Sequence, residues 1–147
     1  MTGPANIFDK PNRYIGQPSP RADASRLLQG RGKFVDDKTL PRMVHAAFLR
    51  SPHAHAKILS IETSCATAAP GIIAIYTGDD LAAHVTPYVG VLTHLAGLRS
   101  VPQHPLAVGV CRWQGEPIVM VIAISRALAE DACELIEIDY EDMPAAV

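Results

Sequence analysis

Runs of hydrophobic residues alternate along the chain with short groups of Gly, Pro, Asp and Ser. Residues 43–50 are apolar almost throughout, which predicts a strand buried on both faces. Residues 55–62 alternate between polar and apolar side chains, as expected of a strand with one buried face. Residues 71–76 are rich in β-branched side chains and residues 118–124 form a continuous apolar run, so both also predict strands.

Shorter apolar runs predict four further strands, at residues 33–35, 105–107, 109–113 and 137–140. Ile73 and Val121 lie in the middle of two of the longer strands, so we expect both side chains to be buried. The strands mix with short helices without a regular β–α–β period. This mixture favours an α+β fold with a mostly antiparallel sheet.

The strongest helix prediction covers residues 126–136, where Ser125 can act as the N-cap. The buried face of this helix would consist of Leu128, Ala132, Leu135 and Ile136. Shorter helical turns are predicted at residues 23–28, 65–69 and 77–81. The sequence therefore predicts two or three short helices around the sheet, besides isolated turns.

Two segments are predicted to lack regular structure. Residues 1–21 contain four prolines and two glycines, which predicts an extended arm rather than a packed element. Residues 22–147 then form one domain of ordinary size. Residues 83–104 show no steady periodicity and predict a long loop, a kind of segment that is usually functional or interfacial.

The composition excludes several classes of protein. Hydrophobic residues make up 48% and charged residues 19% of the chain, which is typical of a globular protein. A net charge of −2 is too small for a protein that binds nucleic acid through a strong positive field. No apolar stretch is long enough for a transmembrane helix, and the N-terminus lacks the apolar core of a secretory signal. We therefore expect a cytoplasmic location.

The three cysteines, Cys65, Cys111 and Cys133, are widely spaced and form no Cys-x-x-Cys pair. This spacing argues against a disulfide framework, a zinc site and an Fe–S cluster. Their apolar neighbours indicate small buried side chains in a reducing compartment. Arg112 follows Cys111 directly and could activate its thiol, but strand alternation would place the two side chains on opposite faces.

His53 and His55 are the best candidates for metal ligands, because an extended backbone would place both imidazoles on one face. His45 is the most plausible third ligand. The alternative is that both rings pack at a strand junction and bond to backbone groups after the break at Pro52. We favour this alternative because no carboxylate or thiolate lies nearby in the sequence.

Other motifs also have structural interpretations that outweigh the functional ones. Gly30 and Gly32, with basic neighbours, could cradle a phosphate, but no helix is predicted to open there and a tight turn explains them better. Glu116 could face a neighbouring domain, although a structural role in the turn before residue 118 is favoured. Glu130 and Glu134 lie on a solvated helix edge and do not form an acid–base pair.

Several motifs, read in order, resemble one family. They are IGQP at residues 15–18, GRGKFVDD at 30–37, LRSPHAHAKI at 49–58, PGIIAIYTGDDL at 70–81, GEPI at 115–118 and IDYE at 138–141. The LRSPHAHAKI stretch is the most specific. Together they resemble the N-terminal a/b hammerhead domain of the large subunit of the xanthine dehydrogenase, aldehyde oxidase and CO dehydrogenase family. The resemblance is strongest to the bacterial CO dehydrogenase branch. The residues that carry the family motifs are Arg50, Ser51, Pro52, His53, His55, Gly71, Gly115 and Glu116.

The resemblance implies a structural domain of an oxidoreductase that hydroxylates C–H bonds of aldehydes or N-heterocycles, or oxidises CO. It implies molybdopterin cytosine dinucleotide, [2Fe-2S] clusters and FAD in the complex, held by molybdenum-binding domains and by Fe–S and FAD subunits. None of the motifs expected for the molybdenum-binding domains occurs in this chain, so we predict no catalytic, cofactor-binding or metal-binding residue and no activity of the chain alone. The alternative is a non-catalytic scaffold, or a truncated remnant, that only binds partner subunits.

The chain departs from the family at three notable positions. Arg42 stands where a glycine is common, Cys65 where an alanine is frequent, and Trp113 where tyrosine or phenylalanine is usual. We expect none of these differences to remove a feature that the fold needs.

Overall fold

The computed structural model describes residues 21–90 and 94–145, and the chain divides into two units, residues 1–40 and 41–147. The described part of the first unit contains the helix α1, Ala24–Leu28, and a 3-10 turn at Val35–Asp37. Residues 1–20 of the predicted arm lie outside the described residues. The boundary predicted after residue 21 stays a prediction.

The strand predicted at residues 33–35 is wrong, because a local acid turns the backbone there. The N–H of Phe34 donates to Asp37 Oδ2 at 2.9 Å, and the N–H of Asp37 donates to the Phe34 carbonyl at 3.2 Å. A short acidic side chain offers a nearby backbone donor an alternative to pairing in a sheet. The Phe-Val pair therefore enters a 3-10 turn.

The second unit is built from six strands and three helices in its described part. They are β1 (His45–Arg50), β2 (Ala56–Glu62), α2 (Ser64–Ala68), β3 (Ile72–Thr77), α3 (Gly78–Ala82), β4 (Val110–Cys111), β5 (Pro117–Ala123), α4 (Arg126–Cys133) and β6 (Glu137–Asp142). The strands form two three-stranded sheets, ordered β1-β5-β3 and β4-β2-β6, and every pairing is antiparallel. The predicted α+β fold with antiparallel strands and a few short helices is confirmed.

One hydrophobic core joins the two sheets and α4. Val119, Val121 and Ala123 project from β5 into this core and are fully buried. Ala129 and Ala132 of α4 complete it, while partly buried side chains reach it from both sheets. Those partly buried side chains include Ala47, Leu49, Ile72 and Ile75 from the first sheet and Ile58, Ile61, Ile138 and Tyr140 from the second.

The opposite side of the β1-β5-β3 sheet faces solvent in the described structure, and we call it the outer face. Along β1 the half-buried residues alternate with exposed ones, so the prediction of a strand buried on both faces is wrong within this chain. The expectation for Ile73 is also wrong, because its side chain is 55% exposed. The register of β3 shifts between Ile72 and Ala74, and this bulge turns Ile73 away from the core.

The helix predicted at residues 126–136 is shorter than expected and ends at Cys133. The predicted cap is confirmed, because the Ser125 hydroxyl accepts from the N–H of Leu128 at 3.3 Å. Leu135 lies beyond the helix and is 46% exposed, so its assignment to the buried face is wrong. None of the helices within residues 21–90 and 94–145 is both long and apolar enough to cross a membrane.

The segment between α3 and β4 contains little regular pairing in its described part. Tyr88 and Gln103 form an isolated antiparallel bridge, in which each backbone N–H donates to the other residue's carbonyl at 2.8 Å. The strand predicted at residues 105–107 is wrong, although Leu106 and Ala107 are buried. The N–H of Ala107 donates to the Pro117 carbonyl at 2.8 Å, so the segment packs against the start of β5 without joining the sheet ladder.

Arg42 has a left-handed backbone conformation, with φ of 61°. That Arg42 removes no feature needed by the fold stays a prediction, but its left-handed conformation indicates an energetic cost for a residue with a side chain. A residue with a Cβ costs about 1–2 kcal/mol in this conformation, and glycine would remove that cost. Glycine also has a larger conformational entropy in the unfolded chain, which offsets part of the stabilisation. We therefore expect Arg42→Gly to raise the free energy of unfolding by roughly 0.5–1 kcal/mol, measured by urea titration.

The control for this prediction is Lys38→Gly. Lys38 has φ of −88°, a conformation that side chains adopt freely, so glycine there adds only entropy to the unfolded state. The control should leave stability unchanged or slightly lower. A loss of stability in Arg42→Gly would contradict strain at that position.

Candidate functional site

Seven of the eight family-motif residues meet where β1 ends. We call this site the junction: residues 50–55 with residues 111–116 and 142–144. Gly71 is the exception. It lies before β3 with φ of +81°, and a Cβ there would be 2.6 Å from Leu128 Cδ1. Its role is a close approach of the backbone to α4 and not a part of the junction.

Backbone bonds extend the pairing of β1 and β5 into the junction. The Ser51 N–H donates to the Glu116 carbonyl at 2.9 Å, and the Gly115 N–H donates to the Ser51 carbonyl at 2.8 Å. The Arg50 guanidinium donates through Nη1 to the Gly115 carbonyl at 2.9 Å. Gly115 has φ of +89°, which suits the tight turn that carries the chain into β5.

Ser51 organises the break that Pro52 imposes on the chain. Its hydroxyl accepts from the His53 N–H at 3.1 Å and lies 3.0 Å from the His53 carbonyl. The Ser51 residue is only 3% exposed. This local bonding replaces the ladder partners that the backbone loses beside a proline.

Glu116 is the second buried polar residue of the described structure, with 2% of its surface exposed. Its carboxylate accepts a short hydrogen bond from the backbone N–H of Arg112. In the described residues, no buried side-chain nitrogen or oxygen atom lacks a hydrogen-bond partner. The predicted structural role of Glu116 therefore has a direct basis: the carboxylate closes the turn between β4 and β5.

The two histidines of the motif bind different partners near the end of β6. His53 Nδ1 lies 2.7 Å from Asp142 Oδ1, and the His53 ring packs against Tyr140 with ring centroids 4.5 Å apart. His55 Nδ1 lies 2.7 Å from the Pro144 carbonyl oxygen, so it donates there as the Nδ1–H tautomer. His53 thus contacts the end of β6, and His55 contacts the chain just after it.

This geometry favours the structural interpretation of the histidine pair over the metal site. His45, the suggested third ligand, lies at the far end of β1 and pairs with Ala123. Within residues 21–90 and 94–145, no group of three or more His, Cys, Asp and Glu side chains is placed to hold a metal ion. Asp142 is a contact of His53 that the sequence did not reveal, because it lies far along the chain and only the pairing of β2 with β6 brings it to His53.

Two of the three cysteines have a raised thiol pKa. Burial raises the pKa of the Cys111 thiol, which a hydrogen bond with Ser51 and the charge of Arg112 only partly offset, while the Glu116 charge adds to the rise. Burial also raises the pKa of Cys133. Cys65 is exposed, so its assignment as a buried side chain is wrong, whereas Cys111 is buried as expected. A raised pKa leaves fewer thiolates, so Cys111 and Cys133 are poor nucleophiles.

The glycines of the first unit form a turn and not a phosphate cradle. Gly30 has φ of +67° and follows the end of α1, so no helix N-terminus points at this position. The Arg26 side chain donates to the Arg31 carbonyl at 2.9 Å and ties the turn to the helix. This arrangement agrees with the structural interpretation of the motif.

A shallow groove of about 460 Å³ borders the junction on its solvent side. Trp113 contributes a ring that is 41% exposed. The groove contains no pair of a nucleophile and a base within its lining. That lining consists of Ala54, His55, Arg112, Trp113, Gln114, Pro144 and Ala145.

Comparisons with known proteins agree on one family. Residues 29–144 match the family model described as "Aldehyde oxidase and xanthine dehydrogenase, a/b hammerhead domain". The chain is 40% identical over 144 residues to the nicotine 6-hydroxylase large subunit of Paenarthrobacter nicotinovorans, covering 92% of this chain and 18% of that protein.

Solved structures give the same result. Quinoline 2-oxidoreductase from Pseudomonas putida 86 superposes with a TM-score of 0.80 at 42% identity, over 88% of this chain and 16% of that chain. The Cu,Mo-CO dehydrogenase superposes with a TM-score of 0.72 at 39% identity, over 90% of this chain and 16% of that chain. The chain therefore spans less than a fifth of the length of these relatives.

Proposed function

The chain belongs to the a/b hammerhead family of aldehyde oxidases and xanthine dehydrogenases, and we propose that it is the N-terminal structural domain of the molybdenum-cofactor subunit of such an oxidoreductase. The complete enzyme would hydroxylate C–H bonds of aldehydes or N-heterocycles, or oxidise CO. The match over residues 29–144, together with a TM-score of 0.80 to quinoline 2-oxidoreductase at 42% identity, carries this proposal.

The role of this chain in that enzyme would be architectural. The junction fixes the ends of three strands through backbone bonds and two histidines, and Glu116 is buried to close a turn. The hydrogen bonds described for these residues are all made to other groups of the same domain. Substrate binding and catalysis would therefore take place in the molybdenum-binding domains, and we predict that the chain alone is inactive.

The side chains of this chain do not fit the cofactors that the family implies. An [2Fe-2S] cluster takes four cysteine ligands, whereas the chain has three cysteines, one of them exposed and one fully buried. The Gly30–Gly32 turn lacks the helix N-terminus that would receive the phosphates of a dinucleotide. We infer that molybdopterin cytosine dinucleotide, [2Fe-2S] and FAD are held by the other domains and subunits.

The proposed partners are the molybdenum-binding domains and the Fe–S and FAD subunits of the same enzyme. The cysteines of the described residues are free thiols, which is consistent with a reducing compartment and supports a proposed cytoplasmic location. The alternative, a scaffold or remnant that only binds partners, differs in one respect: it predicts no molybdenum-containing chain that depends on this domain.

A domain exchange tests the proposal. The matching segment of the nicotine 6-hydroxylase large subunit is replaced by this chain, and the chimeric subunit is produced with its partner subunits. We expect the chimera to retain molybdenum and to hydroxylate nicotine within about tenfold of the parent, equivalent to about 1.4 kcal/mol of activation free energy. Metal analysis and steady-state kinetics give the two readouts.

The control is the same chimera carrying Val121→Asp, in which the exchanged domain cannot fold. That chimera should lose molybdenum or fail to assemble. A well-folded chimera that holds no molybdenum would contradict the proposed function and would favour the scaffold or remnant.

A further inference from the structure

The outer face of the β1-β5-β3 sheet is apolar over its full width. Two rows of paired residues cross it, and both rows run from β1 through β5 to β3. Ile124, just after β5, extends the face and is 61% exposed, and Ile73 in the β3 bulge is 55% exposed. The two rows are Phe48, Met120, Tyr76 and Ala46, Ile122, Ala74.

The charged residue at the border of this face is already engaged. Arg50 donates to the Gly115 carbonyl at 2.9 Å, and its guanidinium lies 5.8 Å from the centroid of the Phe48 ring. The guanidinium thus lies at the border between the junction and the Phe48 ring, and the two rows themselves contain only uncharged side chains. A neutral apolar surface of this kind is depleted in charge like the centre of a protein interface.

The second sheet provides an internal comparison. Its solvent side carries Lys57 and Glu141, whose charged groups lie 3.9 Å apart, and Ser60, whose hydroxyl donates to Asp139 at 2.8 Å. This is the usual alternation of an antiparallel sheet with one face in water. Although Leu59 in the β2 bulge is 55% exposed, the solvent side of the second sheet therefore carries charged and polar pairs that the two rows of the outer face lack.

The central strand β5 is apolar on the outer face as well as on the face toward the core. Residues 117–123, PIVMVIA, contain no polar side chain. Val119, Val121 and Ala123, together with Ile118 at the start of the strand, are fully buried in the core, whereas Met120 and Ile122 on the outer face are only partly buried. Strands that are apolar on both faces belong to sheets covered on both faces. The sequence of β5 thus specifies a second covering layer that the described residues of this chain do not supply.

We propose that the outer face is the surface on which the rest of the large subunit packs, through an apolar and uncharged patch of its own. This inference rests on the proposed function. The relatives are about six times longer than the matched segment, since that segment covers 16–18% of their length. A covering layer from the same polypeptide is permanent, and permanent interfaces are the ones that resemble a hydrophobic core.

Cysteine footprinting of the chimeric nicotine 6-hydroxylase tests this surface. Cys65→Ser first removes the exposed native thiol, and Ala46→Cys or Tyr76→Cys then introduces a thiol at either edge of the outer face. The matched control is Leu59→Cys on the second sheet, where the side chain is 55% exposed. Maleimide labelling of each position is followed by peptide mass spectrometry in the 147-residue chain and in the chimera. Thermal unfolding verifies that each variant folds.

We expect the two outer-face thiols to react at least about tenfold more slowly in the chimera than in the chain alone, while Leu59→Cys reacts equally in both. Equal labelling of the outer-face thiols in a chimera that holds molybdenum would overturn the proposed surface and leave the proposed function standing. A chimera without molybdenum would overturn both. Protection in the chain alone, together with a dimer in sedimentation velocity, would assign the face to a second copy of the chain and overturn the proposal.

Discussion

Val121→Asp is expected to unfold the second unit at room temperature. Val121 is fully buried in the central strand β5, where it pairs with Ala47 on one side and Ile75 on the other. An unpaired carboxylate at this position costs several kcal/mol, and the whole stability of a domain is about 5–15 kcal/mol. Circular dichroism and a thermal scan should show the loss of the cooperative transition.

Ile73→Asp is the matched control, because it makes the same type of change in the neighbouring strand. The Ile73 side chain is 55% exposed, so a carboxylate there stays hydrated. We expect a loss of less than about 1 kcal/mol in the isolated chain. Equal effects of the two substitutions would show that the assignment of inner and outer faces is incorrect.

The second large effect is expected for Glu116→Ala. The substitution removes the acceptor of the Arg112 N–H and leaves a cavity at a residue that is only 2% exposed. The Arg112 N–H makes a part-buried hydrogen bond, so the loss of its acceptor costs about 1 kcal/mol and the cavity left by the buried side chain adds to this; we expect a total loss of about 2–3 kcal/mol. Urea unfolding monitored by the fluorescence of Trp113 measures the loss.

Glu116→Gln distinguishes the contribution of the hydrogen bond to stability from the contribution of the negative charge. Glutamine keeps a side-chain oxygen acceptor and nearly the same volume. If the carboxylate acts as the acceptor for the turn, the glutamine variant should recover most of the stability lost in the alanine variant. A glutamine variant as unstable as the alanine variant would refute this role and indicate that the negative charge itself is required.

The main elements of the fold could be predicted from the sequence because their patterns are local. Residues 55–62, 71–76 and 118–124 form strands near the predicted bounds, and Ser125 caps the predicted helix. The failures also have local causes. Phe34 and Val35 have the side chains of a strand, but the N–H of Phe34 donates to the Asp37 carboxylate instead of to a neighbouring strand. Residues 105–107 are apolar, but they do not pair with a strand.

The site could be predicted only as a set of motif residues. The family resemblance identified Arg50, Ser51, His53, Gly115 and Glu116, but no pattern in the sequence shows that their backbones bond to one another. The contact of His53 with Asp142 depends on the pairing of β2 with β6, which is a property of the whole fold. The exposure of Ile73 depends on a bulge, and a pattern of alternation cannot locate the extra residue.

The order of the strands in the two sheets has a consequence for synthesis on the ribosome. The first sheet needs β5 between β1 and β3, and β2 obtains its longest pairing only from β6, the last strand. β1 and β3 therefore lack their only sheet partner until β5 has been translated, and β2 can pair only with the two residues of β4 before β6 is made, because contacts between distant residues form late. During that interval the nascent chain exposes strongly apolar segments. We therefore expect a period in which chaperones can bind the nascent domain, and this period ends when His53 contacts Asp142 of β6 and His55 contacts Pro144.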